Sequence, residues 1–345
     1  MASAGIVAQA TAVPRHCVRT EEIWAALRDL RGGRLPRFNG TDDSPTTRYL
    51  VEPLESLVCV RSQSAQTDAY RRHALELGFN AAAPAIEASG IDRGRIGLVV
   101  CVSCTGVILP SLDAELIPRL GLRPDVTRLP ITELGCGAGV AALGRAHDYL
   151  AAYPERAVLV LAVEVPSLTF QPADRSTGNM VATLVFGDGA GCVVLAGGSR
   201  PQAWSIESSG SVLVPEGAPH LGFELRDGGL HVILSRDLPR IIEARLRGSV
   251  DDFLAKSGLC IKDVGVIMAH PGGPRVLDAV ARALDLESQS LQVSRCVFGR
   301  FANASSAGIF FVLAATPPPR TTTHALMVAF GPGLSIELAL LRAEP

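Results

Sequence analysis

Short runs of consecutive apolar, mostly β-branched residues punctuate the chain at 96–102 (IGLVVCV), 156–163 (RAVLVLAV), 190–196 (AGCVVLA), 264–269 (VGVIMA), 325–330 (ALMVAF) and 334–341 (LSIELALL). Apolar residues on consecutive positions predict strands covered on both faces. Between these runs the spacing predicts helices over 65–89, 111–120, 137–152, 238–257, 274–284 and 303–315. Strands alternating with helices predict a layered α/β protein. The Gly-, Ser- and Pro-rich stretch from Gly197 to Pro219 reads as a separator, which puts a boundary near residue 205 and two halves at 1–205 and 206–345. The TPPPR patch at 316–320 reads as a surface loop stiffened by its prolines.

Composition narrows the classes of function. A chain of 345 residues that is 48% hydrophobic can bury a large core. A net charge of −2 without a run of like charges argues against nucleic acid or an anionic membrane surface as a main partner. The opening 20 residues lack the basic start and apolar core of a signal peptide, and no apolar run reaches the ~18 residues of a membrane span. A cytoplasmic protein acting on a small ligand is the expectation. Eight scattered cysteines are too few for a disulfide scaffold, and Cys101, Cys192 and Cys260 sit in apolar runs where a thiol acts as a small hydrophobe. Most cysteines are therefore expected to be reduced and buried. Cys101 and Cys104 form a CxxC, but no second CxxC or histidine pair completes a zinc site, so no metal is expected.

Three polar residues at predicted element ends could carry chemistry. Cys136, in ITELGCGAGVAAL, sits where a strand-like approach meets a glycine-rich helix start. It is either a small packing residue or a nucleophile whose pKa the helix N-terminus lowers from ~8.5 toward ~3.5–7.5, with the glycines leaving space beside the sulfur. His270 ends the run VGVIMA ahead of the PGGP turn, where ligand chemistry gathers in α/β sheets, and is by itself structural or catalytic. Asn303 opens NASSAG and could be an ordinary N-cap. Together a thiol, an imidazole and a carboxamide form a nucleophile with donors for a developing oxyanion.

The motifs GCGAG around Cys136, VFGDGAG at 185–191, AHPGGP at 269–274, NASSAG at 303–308 and FGPG at 330–333 follow one another in an order and spacing that resembles the type III polyketide synthases, the chalcone synthase-like enzymes. The resemblance runs from about residue 95 to the C-terminus and, more weakly, through TTRYLVEPLE at 46–55. The ketoacyl-carrier-protein synthases III share a Cys, His, Asn set, but the HPGGP run favours the polyketide branch. The resemblance implies a thiolase fold of two similar α/β halves, usually a homodimer. It implies that Cys136 carries an acyl group from an acyl-CoA starter, that His270 keeps it a thiolate, and that His270 and Asn303 bind the thioester oxygen of malonyl-CoA during decarboxylation. It requires no metal, redox cofactor or carrier protein.

The resemblance also marks a cavity. Phe186, otherwise a core aromatic, matches a gatekeeper between a CoA tunnel and the cavity. Val232 stands where the family has a second phenylalanine, and Phe223 where plant enzymes often have glycine. Cys104, Leu109, Thr169 and Ser305 match further cavity positions, with Leu109 expected to reach across the dimer. Arg48 is the candidate contact for a CoA phosphate, since a planar guanidinium suits that anion, unless it is an ordinary surface arginine. The stretches 166–179 and 220–239 resemble bacterial members that take aliphatic starters, which implies alkylpyrone or alkylresorcinol products. A catalytically inactive protein of the same fold is the alternative that the intact Cys136, His270 and Asn303 argue against.

Overall fold

All six apolar runs become strands of one hydrogen-bonded array. The computed structural model describes residues 4–30, 32, 45–59, 61–198, 204–226, 228–287, 289–317 and 319–343, so positions 199–203 of the expected separator and 318 of the TPPPR loop lie outside the described residues. The chain begins with β1 (Ala4–Ala12), β2 (His16–Arg19), α1 (Thr20–Leu30), β3 (Thr47–Leu50), α2 (Leu54–Leu57) and α3 (Gln63–Ser89). There follow β4 (Ile96–Val102), α4 (Leu112–Arg119), β5 (Thr127–Ile131), α5 (Ala138–Ala152), β6 (Ala157–Glu164), α6 (Thr177–Val185) and β7 (Gly189–Gly197). Next come β8 (Ser205–Leu213), β9 (Leu221–Arg226), β10 (Gly229–Leu234), α7 (Leu238–Ala255), β11 (Val264–Ala269) and α8 (Pro274–Leu284). The chain closes with α9 (Gln292–Phe301), α10 (Gly308–Ala315), β12 (Thr323–Gly331) and β13 (Ser335–Ala343).

The strand order is β11-β12-β13-β8-β1-β7-β6-β4-β5. Outward from β1 the pairings run antiparallel to β7, antiparallel to β6 and parallel to β4. Outward from β8 the same sequence recurs with β13, β12 and β11. One plan is thus used twice, and among the described residues the two copies pair at Ala4↔Ile206 and Gly5↔Ser205, with Ile6 N–H donating to Trp204 O.

Side chains alternate across each strand, so each half-sheet has an inner and an outer face. Val100 of β4, Val158 of β6, Met327 of β12 and Ala339 of β13 all pack in one central core with Leu143 and Ala146 of α5 and Phe310 and Val312 of α10. Their neighbours point away. Leu159 and Leu161 of β6 face α3 and α4, and Leu326 and Leu340 face α7 and α8. The result is five layers with α5 and α10 between the half-sheets. That position explains why α10 (GIFFVLAA) is apolar all round, whereas α8 keeps Arg275, Asp278 and Arg282 on a face opposite its buried Leu277, Val280 and Leu284.

Several expectations are corrected. Gly197–Pro219 is not simply a separator, because β8 lies within it and pairs with β13 over its whole length. Its serines are small for a reason: Ser209 packs against Gly144 of α5. Helix α10 begins at Gly308, five residues later than 303, after an extended Asn303 and a 3-10 turn at Ser305–Ala307. Helices α1, α2, α6 and α9 fall outside the expected helices. Of the eight cysteines, all unpaired, Cys101 and Cys192 are fully buried, Cys104 and Cys136 are part-buried, and Cys17, Cys59, Cys260 and Cys296 are exposed. Among the described residues no helix is long and apolar enough to cross a membrane.

Phe310, 1% exposed, fills the space between the half-sheets. Phe310→Ala is expected to lower unfolding free energy by about 3–5 kcal/mol, the range for a truncated core aromatic, as measured by urea denaturation. A loss below 1 kcal/mol would contradict the sandwich arrangement.

Candidate active site

Three element ends deliver the polar side chains. Cys136 lies in the 3-10 turn Gly135–Gly137 that feeds α5. His270 leaves the carboxyl end of β11, its backbone N–H donating to the Val328 carbonyl at 2.8 Å. Asn303 lies between α9 and the 3-10 turn before α10, with its N–H donating to Val185 O (2.9 Å) and its carbonyl accepting from Gly187 N (3.0 Å). Its side-chain Oδ1 accepts from the Ser305 N–H at 2.8 Å, which leaves the amide Nδ2 as a donor for the site. The carboxamide interacts with both the Cys136 thiol and the His270 ring. Ser305 Oγ adds a contact at 3.5 Å from Cys136 Sγ. The three residues picked from the sequence are therefore assembled in one place.

Electrostatics departs from the expectation for the thiol. Burial pushes Cys136 up to about 12 and outweighs the lowering influence of Ser305, Asn303 and the local backbone. Burial likewise pushes His270 down to about 4, against the raising influence of the nearby Asn303 carboxamide. Each group is neutral at pH 7 before substrate arrives. His270 is 2% exposed, and among the described residues neither ring nitrogen has a hydrogen-bond partner. The glycines beside Cys136 also have a different role from the one expected. A Cβ at Gly137 would lie 2.9 Å from Glu337 Cγ and one at Gly139 only 2.4 Å from the Ser306 carbonyl oxygen, so their bareness lets α5 dock against β13 and the start of α10.

Beneath the thiol lies a carboxyl group that sequence reasoning missed. Glu164, fully buried at the end of β6, accepts from Cys104 N (3.1 Å), Cys104 Sγ (3.3 Å), Thr105 Oγ1 (2.8 Å) and, closely, Ser306 Oγ. Burial raises its pKa against those donors. Cys104 Sγ in turn lies 3.3 Å from Ser305 Oγ, so a polar chain runs from Glu164 through Cys104 and Ser305 to Cys136. One sequence signal was available: a lone acid ending an otherwise apolar strand run.

A cleft of about 650 Å³, counting its mouth, is lined by none of Cys136, His270 and Asn303 and meets them through Phe186, the neighbour of Asn303. Thr169, Phe186, Phe223 and Val232 line it as expected, and Phe223 and Val232 face each other across the β9–β10 pair. Ile23 and Leu27 of the unforeseen α1 complete its apolar wall. Phe186 also forms an isolated parallel bridge with Asn303, so one residue belongs to the cleft and its partner to the chemistry. Cys104 and Ser305 sit at the thiol rather than in this wall. Leu109 is 89% exposed and does not line this cleft. The Arg48 expectation is overturned: its side chain has no exposed surface and donates to the carbonyls of Thr183, Leu184 and Phe186, so it cannot meet a CoA phosphate.

The family models for chalcone and stilbene synthases match residues 56–201 with the N-terminal domain and 205–345 with the C-terminal domain. The chain belongs to this family. It is a type III polyketide synthase, an acyltransferase with the thiolase fold. It is 36% identical to 1,3,6,8-tetrahydroxynaphthalene synthase of Streptomyces peucetius subsp. caesius over 349 residues, covering 98% of this chain and 92% of that one. It is 28% identical over 347 residues to the alpha-pyrone synthesis polyketide synthase-like protein of Mycobacterium tuberculosis, covering 95% of this chain and 88% of that one. Among solved structures, the tetrahydroxynaphthalene synthase of Streptomyces coelicolor A3(2), a bacterial type III polyketide synthase, superposes with a TM-score of 0.93 at 27% identity, covering 99% of both chains. The match to the polyketide branch sets aside the carrier-protein-dependent condensing enzymes.

With the Cys136 thiol held near 12, thiolate is scarce at neutral pH. Inactivation of the substrate-free synthase by iodoacetamide is expected to accelerate about tenfold per pH unit, without a plateau between pH 6 and 9. Cys136→Ala should remove the modified site from the peptide mass spectrum. A plateau below pH 7 would show instead a thiolate already paired with His270.

Proposed function

We propose that this synthase loads an aliphatic acyl group from an acyl-CoA onto Cys136, extends it with malonyl-CoA and closes the product to a pyrone or resorcinol. The observation that carries the reading is the cleft wall: Ile23, Leu27, Leu54, Leu57 and Val232 offer apolar length, and the valine removes one aromatic face. Loading begins as Cys136 Sγ attacks the thioester carbonyl while its proton passes to His270. The imidazolium then gives that proton to the departing CoA thiolate. With Cys136 acylated, His270 is neutral again, and it and Asn303 Nδ2 donate to the malonyl thioester oxygen. Loss of CO2 leaves an enolate on that oxygen, and two fixed donors lower such a barrier by a few kcal/mol. The enolate carbon attacks the Cys136 thioester, forming a carbon–carbon bond and releasing the thiolate. Every step is thioester exchange, decarboxylation or condensation, so the cycle calls for no metal or redox cofactor. A homodimer in the cytoplasm is part of the reading, supported by the exposed apolar pair Val107 and Leu109, which would be covered by a partner subunit.

A second reading has its own support. Tetrahydroxynaphthalene, named for the relative at 36% identity, carries no alkyl chain, so malonyl units alone could build the product here too. Mass spectrometry of products from malonyl-CoA alone and with C6 to C18 acyl-CoAs separates the two. Alkylpyrones or alkylresorcinols are expected, and Val232→Phe should shift the preferred starter to shorter chains. Turnover of aromatic starters with none of the alkyl series, or of malonyl-CoA alone, would overturn the aliphatic reading.

A further inference from the structure

Arg48 has no exposed surface, yet none of its hydrogen bonds goes to a carboxylate. Nη1 donates to Thr183 O (2.8 Å) and Phe186 O (3.1 Å), and Nη2 to Leu184 O (2.5 Å) and Thr20 Oγ1 (3.0 Å). The carbonyl that this set skips, Val185 O, accepts from the Asn303 N–H. The last carbonyls of a helix have no partners within it, and a cation there also suits the helix dipole. At the end of α6 those orphan acceptors are divided between Arg48 and the backbone of Asn303.

The strand bearing Arg48 reaches the other flank of Asn303 as well. The Thr46 N–H donates to Gly299 O and the Thr47 hydroxyl to Arg300 O, both at 2.8 Å, at the end of α9 just before Asn303. On the first flank, Asp188 N donates to Tyr49 O, and the Asp188 carboxylate accepts from Val51 N and from Ser167. Segment 46–51 therefore ties together two chain ends that are far apart in sequence. Phe186 at the cleft and Asn303 at the thiol sit between the ties and bridge each other.

We propose that Arg48 is a positioning residue that fixes Asn303 and Phe186 relative to Cys136 and His270. It acts through the α6 carbonyls and touches no substrate. The proposal rests on the reading above, in which Asn303 polarises the malonyl thioester. A planar fork holds three carbonyls at set angles, which a lysine ammonium cannot reproduce. Displacement of a donor by as little as an ångström can cost a large factor in rate. Cys136 hangs from α5 and shares none of these bonds, so acylation should be affected less than decarboxylation.

The test compares Arg48→Lys, Thr20→Val and Asn303→Ala with the parent enzyme, all counted per folded site. Two rates are read: Cys136 acylation by intact-protein mass spectrometry and CO2 release from malonyl-CoA. Asn303→Ala sets the reference by lowering the ratio of decarboxylation to acylation. Arg48→Lys is expected to lower that ratio about tenfold, and Thr20→Val, which loses one of the four Arg48 bonds together with the Thr20 hydroxyl's bond to Pro45 O, about threefold. A purely structural role would reduce both rates together and leave the ratio unchanged. If Asn303→Ala lowers the ratio while both other variants stay within twofold of the parent, the proposal is wrong. Should Arg48→Lys fail to fold, Thr20→Val decides. If Asn303→Ala leaves the ratio untouched, it is the role given to Asn303 that fails.

Discussion

The site depends on how closely the start of α5 can approach the start of α10. Both helices occupy the layer between the half-sheets, and both are entered through a 3-10 turn, Gly135–Gly137 for one and Ser305–Ala307 for the other. The approach is limited by backbone: the Ser306 carbonyl sits where a side chain at residue 139 would be. Any residue larger than glycine there would push the two turns apart, and with them Cys136 from Ser305 and Asn303. The doubled sheet plan makes this meeting unavoidable, because each half contributes one helix to the shared layer. The third group, His270, arrives from the end of a strand in that same packing and needs no loop of its own.

Burying a nucleophile, a base and a carboxyl group together has an electrostatic consequence. Glu164, Cys136 and His270 are each driven toward their uncharged forms by the same desolvation. An uncharged thiol and imidazole avoid the large cost of isolated buried charge. In the proposed cycle the proton passes between them only when a thioester is in place, and the charge that develops is met by Asn303 Nδ2 and the imidazole. Glu164 is held by two hydroxyls, a backbone N–H and the Cys104 thiol, which accounts for a carboxyl group surviving in a core.

Much of this was legible in the chain, for reasons that differ by element. Runs such as LVVCV and VLVLAV become central strands because both faces of each half-sheet are covered, and consecutive apolar residues say so directly. β8 was hidden by its composition: SIESSGSVL reads as a linker until α5 is seen packing on its serines. β5, TRLPI, carries a proline tolerated because it lies at the sheet edge. The Cys, His, Asn set is marked by order and motif, while the balance of helix start against burial at the thiol is not, since a helix start is visible in sequence and the depth of burial is not. Arg48 shows the same blindness. Its position in TTRYL reveals nothing about the carbonyls it meets, more than 130 residues away.

Chemistry and selectivity occupy different layers but are not equally separable. The turns that lead into the central helices carry Cys136 and Ser305, whereas the cleft wall is drawn from the peripheral α1, α6 and the β9–β10 pair. Phe223 and Val232 are held by each other's strands, so their side chains can change while the backbone of Asn303 stays in place. Phe186 has no such freedom, because its own segment supplies the hydrogen bonds that seat Asn303. Changes in starter size are therefore accommodated more readily on the hairpin than at Phe186, and a valine at position 232 is the kind of alteration this architecture accepts without disturbing the carboxamide.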